Sequence, residues 1–182
     1  LHPTVYFIPK MIIQVKISRL QMESMVERAA RTRREQIGLL LGNMKESRAT
    51  ILEAIFGSAS STTVTTRMDP AMIATVTGEV VQGKRKGNII GWFHTHPGHG
   101  IFLSSTDTKT HGALAQFSPS VLAMVIDPDV EAVGIFSLTS DGRVGELEPK
   151  KLVRTPGFEQ EMLVFEQKIE EGHRKMRVLR EG

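Results

Sequence analysis

Two periods of apolar and polar positions alternate along the chain. Met11–Ile17 (MIIQVKI) falls into the every-second-residue alternation of a strand with one buried face. Ser18 opens a helical spacing, with Gln21 three residues on as a capping box. Leu20, Met25, Val26, Ala29 and Ala30 are expected as the buried stripe of that helix. Glu35–Leu41 (EQIGLLL) predicts a buried strand ending at Gly42-Asn43, with Ala49–Phe56 as its hairpin partner. Asp69-Pro70 has the form of an N-cap followed by proline at the first helical position, and predicts a helix to about Gln82. Lys84–Lys86 forms a basic turn, and Ile89–His94 is a strand. Ser104 or Ser105 starts a helix that runs to about Phe117. Val121–Ile126 and Val133–Leu138 read as strands joined at Asp127-Pro128, and Asp141-Gly142 as a hairpin turn into Val144–Leu147. Phe158, Met162, Phe165 and Ile169 share one face at helical spacing and predict a C-terminal helix.

Helices interleaved with hairpins imply a single mixed α/β domain, a mixed β-sheet flanked by helices. We place it at residues 11–150, with an N-terminal extension at 1–10 and a C-terminal helical extension at 151–182 packed on or near the domain. A length of 182 residues favours one domain. Ser58–Thr66 is rich in Ser and Thr, lacks an apolar period, and reads as an exposed loop or flap.

Composition narrows the chemistry. The chain has no cysteine, which excludes a disulfide framework, a thiol nucleophile and Cys-based zinc ligation. Any metal must be held by histidine and carboxylate. This fits a soluble, cytoplasmic protein. No apolar run approaches the roughly 20 residues that span a bilayer, so no membrane partner is expected. The net charge of +3 reads as a solvated surface.

The segment Gly91–Asp107 (GWFHTHPGHGIFLSSTD) carries the candidate chemistry. His94 and His96 are two apart at the end of a strand, so both imidazoles project from one face. Asp107 lies in the first turn of the following helix, where it can return a carboxylate oxygen. Two histidines and one carboxylate form a catalytic zinc set with the fourth position left for water. Ser104-x-x-Asp107 is also a plain N-cap pattern, and both readings can hold at once.

With Glu35-Gln-Ile-Gly38-Leu-Leu-Leu-Gly42 upstream, His94-Thr-His96-Pro97 and Ser104-x-x-Asp107 resemble the JAMM motif of MPN+ domains. The resemblance covers roughly Ile13 to Leu147. Pro97-Gly98-x-Gly100, Leu103-Ser104 and Asp127-Pro128 are most similar to the proteasome-lid deubiquitinase and the signalosome deneddylase. It implies a deaminase-like fold and one zinc per chain on His94, His96 and Asp107. It also implies Glu35 as the general base and Ser104 as the oxyanion stabiliser. The substrates implied are conjugates of ubiquitin or a ubiquitin-like modifier, cleaved at the lysine isopeptide bond. A proteasome-like or other MPN-containing assembly would be the host, and no nucleic acid is implied. Val64, Thr65, Thr66 and Phe102 are expected to contact substrate, the first three by pairing as a strand with the modifier's tail. Relatives usually carry Cys-Trp where this chain has Ile101-Phe102, and an aromatic where it has His99, which bears on substrate choice. The alternatives are a peptidase processing a sulfur-carrier precursor and a non-catalytic scaffold. The complete ligand set argues against the scaffold. A zinc deaminase would need Cys ligands and an H-x-E element, both absent.

Overall fold

The structure is a computed structural model that describes residues 11–57, 68–118, 120–139, 141–154 and 161–167. Among these residues eight strands and three helices follow in chain order: β1 (Gln14–Ser18), α1 (Arg19–Ala29), β2 (Ile37–Lys45), β3 (Arg48–Phe56), α2 (Pro70–Val81), β4 (Asn88–Thr95), α3 (Ser105–Phe117), β5 (Leu122–Asp127), β6 (Ala132–Leu138), β7 (Val144–Arg154) and β8 (Glu161–Glu166). The fold is mixed α/β, and its sheet closes on itself in the order β1-β3-β2-β4-β5-β6-β7-β8. β1 pairs parallel with β3 and β4 with β5; the remaining neighbours are antiparallel.

Strand alternation sends successive side chains to two cores. Leu40, Phe93, Met124, Ile126, Ile135 and Leu147 join Met22, Met25 and Ala29 of α1 in the larger one. On the opposite face Leu39 and Leu41 meet Val76 of α2, while Trp92, Ala123 and Val125 meet Leu114 and Ala115 of α3. β4 is therefore a strand buried on both faces, which is why Ile89–His94 shows no polar alternation.

Several expectations need correction. Leu20 is 65% exposed; the buried stripe of α1 is Met22, Met25 and Ala29, and Ala30 is the exposed C-cap. Leu20 precedes Met22 by two positions, about 200° round the helix, so it points away from the core that Met22 enters. The Ser18 hydroxyl does cap it, accepting from the Gln21 N–H at 3.1 Å. The β2–β3 hairpin turns at Glu46-Ser47, with Glu46 at φ 56°, not at Gly42-Asn43. Gly42 sits at a register shift where a Cβ would collide with the Thr50 carbonyl oxygen, so it marks close strand approach rather than a chain reversal.

Over 161–166 the expected C-terminal helix gives way to strand β8, antiparallel to both β1 and β7, while Phe158 lies outside the described residues. Phe165 pairs with Val15 and Leu163 with Ile17, and both side chains reach the larger core. The run Met162-Leu163-Val164-Phe165 satisfies either period, and two waiting strand edges decide for the sheet. β7 also runs past Leu147 to Arg154, so residues 151–154 and 161–166 belong to the sheet. The expected loop at Ser58–Thr66, with Val64, Thr65 and Thr66, and the tail from Ile169 onwards lie outside the described residues. Among the described residues no helix is long and apolar enough to cross a membrane.

Candidate metal centre

The face of β4 that carries Trp92 continues through His94 to His96, so both imidazoles emerge beneath the start of α3. Strand β2 lies antiparallel beside β4, with Ile37 opposite His94. Gln36 is pinned on both sides of its peptide: its N–H donates to the Thr95 hydroxyl at 2.7 Å, and its carbonyl accepts from the Thr95 N–H at 2.9 Å. That clamp holds Glu35, just ahead of β2 rather than inside it, across from the imidazoles. Glu35 Oε2 lies 3.3 Å from His94 Nε2.

Asp107 arrives from the first turn of α3. Ser104 is the N-cap, its hydroxyl accepting from the Asp107 N–H at 3.1 Å, and Asp107 Oδ2 accepts from the Ser104 N–H at 2.9 Å. This reciprocal capping box fixes the carboxylate over both rings. Asp107 Oδ1 is 2.8 Å from His94 Nδ1, and Oδ2 is 3.2 Å from His96 Nε2. His96 Nδ1 donates to the Gly100 carbonyl at 3.2 Å.

Charge follows from this geometry. Burial alone would raise the Asp107 carboxyl, but its bonds to His94, His96 and the Ser104 N–H hold it well below the usual carboxylate range. Burial also opposes the His96 imidazolium; Asp107, and then the Gly100 carbonyl and Glu35, outweigh it and raise the ring above its ordinary value. The lowered carboxyl records the donors gathered round Asp107, and the raised ring the acceptors gathered round His96.

Glu35, His94 and His96 each present a ligand atom within 4.8 Å of one another, and Asp107 touches both rings. Among the described residues His94 Nε2 is buried with no well-formed hydrogen bond, Glu35 Oε2 standing 3.3 Å away. An orphaned ring nitrogen inside a cluster of two imidazoles and two carboxylates fits a cation of the zinc type, whose ligands are nitrogen and oxygen here.

Residues 10–120 match the family described as JAB1/Mov34/MPN/PAD-1 ubiquitin protease. The chain belongs to this family. Members similar to it include the 26S proteasome regulatory subunit rpn11 of Schizosaccharomyces pombe, 31% identical over 63% of this chain and 38% of the relative. The Saccharomyces cerevisiae ubiquitin carboxyl-terminal hydrolase RPN11 is 28% identical over 68% of this chain and 43% of its own length. COP9 signalosome complex subunit 5 of Caenorhabditis elegans is 32% identical over 66% and 34%. The chain thus spans about two-fifths or less of the length of these relatives. The solution structure of protein DSY2949 from Desulfitobacterium hafniense shares the fold, with a TM-score of 0.58 at 22% identity over 72% of this chain and 88% of that one.

In this MPN-family chain the structure gathers Glu35, His94, His96, Asp107 and Ser104 at one place. Phe102 is 46% exposed at its edge, its ring centroid 4.9 Å from that of His96. His99 is exposed, outside the four-residue cluster, with its ring centroid 6.5 Å from that of His96. Three further residues support the site. Thr95 is the middle residue of the H-T-H triplet, fully buried and bonded to Gln36. Asp127, expected at a turn and in the family resemblance, accepts from the Gly98, Gly100 and Asp129 N–H groups. His111 accepts the Trp92 indole N–H at 3.1 Å, and its burial lowers its pKa. Its place one helical turn after Asp107 already points to packing or a supporting contact rather than to a ligand, and the structure buries it.

Proposed function

We propose that the chain is a zinc-dependent isopeptidase that removes ubiquitin or a ubiquitin-like modifier from lysine. The observation that carries this reading is the buried His94–His96–Asp107 cluster with Glu35 beside it. His94, His96 and Asp107 would hold one zinc. Asp107 is assigned as ligand and Glu35 as base by exposure: the Asp107 side chain is 4% exposed, the Glu35 side chain 34%. A base must exchange protons with water and substrate, whereas a ligand carboxylate need not.

Zinc, when bound, lowers the pKa of water from about 15.7 towards about 7 and polarises a carbonyl. Glu35 takes a proton from the attacking water and passes it to the departing lysine amine. The Ser104 hydroxyl already accepts from the Asp107 N–H, so its own hydrogen is free to donate to the oxygen of the scissile carbonyl. Phe102, exposed beside His96, offers an apolar contact to the extended tail of the modifier.

The substrate class rests on the family, whose name is that of a ubiquitin protease. A proteasome-lid or signalosome type of host assembly and an intracellular setting belong to the same proposal. The test is zinc analysis combined with cleavage of modifier–lysine isopeptide conjugates. One zinc per chain and cleavage lost in Glu35→Gln support the reading; a metal-loaded chain inert on every such conjugate overturns the substrate class. Preference for a linear precursor of a small sulfur carrier would move the activity to processing.

A further inference from the structure

We propose that Asp127 is a positioning residue for the metal centre: by clamping the Gly98 and Gly100 amides it aims the Gly100 carbonyl at His96 Nδ1 and leaves Nε2 as the ring's open donor. The inference rests on the reading of His96 as a metal ligand given above.

Asp127 ends β5, the parallel neighbour of β4, and the adjacent Ile126 carbonyl accepts from the His96 N–H at 2.7 Å. The carboxylate therefore stands beside the loop that follows His96. Its Oδ1 accepts from the N–H groups of Gly98 at 3.0 Å and Asp129 at 3.1 Å, and its Oδ2 from Gly100 at 2.8 Å. Asp127 is 2% exposed, and a carboxylate so deeply placed is tolerated only when donors satisfy it. The loop is wrapped round it: Gly98 and Gly100 have φ of 77° and 85°, left-handed values that turn their N–H groups inward.

The consequence reaches the site through one residue. Fixing the Gly100 N–H and its φ fixes where the Gly100 carbonyl carbon sits and so limits where its oxygen can reach; that oxygen lies 3.2 Å from His96 Nδ1. A carbonyl can only accept, so Nδ1 carries a hydrogen, and Nε2 is the nitrogen through which a metal would be bound. That nitrogen faces Asp107 Oδ2. Without the carbonyl in place the ring hydrogen can sit on Nε2, bonded to Asp107, and the donor that a metal needs is lost. Outer partners of this kind set tautomer and ring orientation in histidine sites.

The experiment measures zinc affinity by chelator competition in wild type, Asp127→Asn, Gly100→Ala and Ile135→Val, with nitrogen-edited proton spectra of the zinc-loaded proteins. Asp127→Asn keeps the shape of the side chain but faces at least one loop N–H with an amide NH2. Gly100→Ala meets no neighbouring atom, so it disturbs only the left-handed backbone that aims the carbonyl. Ile135→Val thins the fully buried core next to β5 and controls for general loosening. Both loop variants should bind zinc about 10- to 100-fold more weakly and lose the exchange-protected His96 Nδ1–H resonance seen in wild type. Ile135→Val should keep both. Loop variants with wild-type affinity and an intact resonance overturn this inference alone. Equal weakening in Ile135→Val would reduce Asp127 to a structural residue. A wild-type chain that takes up no zinc overturns both this inference and the reading beneath it.

Discussion

The indole N–H of Trp92 on β4 donates to Nδ1 of His111 on α3 at 3.1 Å, inside the core. This bond ties the strand that bears His94 and His96 to the helix that bears Asp107. The rings of Trp92 and His94 lie roughly parallel with centroids 6.4 Å apart, so the indole also backs the first imidazole. Replacing His111 by Leu leaves a buried N–H unpaired, a cost of about 1–3 kcal/mol. Gln keeps an acceptor and should recover most of it. Denaturant unfolding of the metal-free chain measures both variants.

The same histidine gives a pH signature. Burial holds the folded-state pKa of His111 below its ordinary value near 6.5, so the unfolded chain takes up this proton first as pH falls. The stability that His111 contributes is thus intact above about pH 6.5 and is lost as pH drops towards its folded-state value. The stability gap between wild type and His111→Gln should therefore narrow on going from neutral to mildly acid conditions. Comparing the two chains at each pH cancels His96, whose raised pKa works in the opposite sense. A gap that widens in acid would mean His111 is charged in the fold.

His96→Ala and Asp107→Asn should each abolish stoichiometric zinc, since the remaining donors are too few for a stable four-coordinate site. The metal-free Asp107→Asn chain should also lose part of the capping box at Ser104, at a cost of about 1 kcal/mol. Metal analysis separates the first effect from the second, which appears only in unfolding. Stoichiometric zinc retained in His96→Ala would relocate the site.

Glu35→Gln should keep both zinc and fold and lose about 10²- to 10⁴-fold in turnover, because an amide cannot accept the proton of the attacking water. Loss of zinc in that variant would make Glu35 a ligand, a role its distance to His94 also permits.

How much of this was legible in the sequence divides along physical lines. The capped helices were, because Asp69-Pro70 and Ser104-x-x-Asp107 are local devices that act within one turn. So was the pairing of His94 with His96, which strand alternation alone dictates. What failed were features decided by distant partners. The closure of the barrel by β8 depends on the edges of β1 and β7, more than a hundred residues apart in sequence at their junction with it. The orientation of the loop after His96 depends on Asp127, whose place in the sequence pointed to a turn and to the family but not to the distant amides it binds. Leu20 fell outside the buried stripe because it stands two residues before Met22, about 200° round the helix, a face that residue type alone does not choose.

Closure by β8 makes the last prediction. In the order of the sheet β1 has β3 on one side and β8 on the other, and β7 has β6 and β8, so removing β8 exposes two strand edges at once. It also removes Val164 and Phe165, 4% and 5% exposed, each contributing about 1.5–3 kcal/mol by burial. Ending the chain at residue 154 should therefore destabilise the domain by several kcal/mol and promote edge-to-edge association, since unpaired edges template other chains. Ending it at residue 167 keeps every described strand, including the Gln167 N–H bond to the Ile13 carbonyl at 3.0 Å. That shorter cut should leave unfolding midpoint and zinc content near those of the full chain. Light scattering and denaturant unfolding on the two truncations read the difference. Should the chain ending at 154 remain monomeric and equally stable, β8 would be an ornament on an open sheet. If the chain ending at 167 loses zinc while staying folded, the residues beyond it contribute to the metal centre.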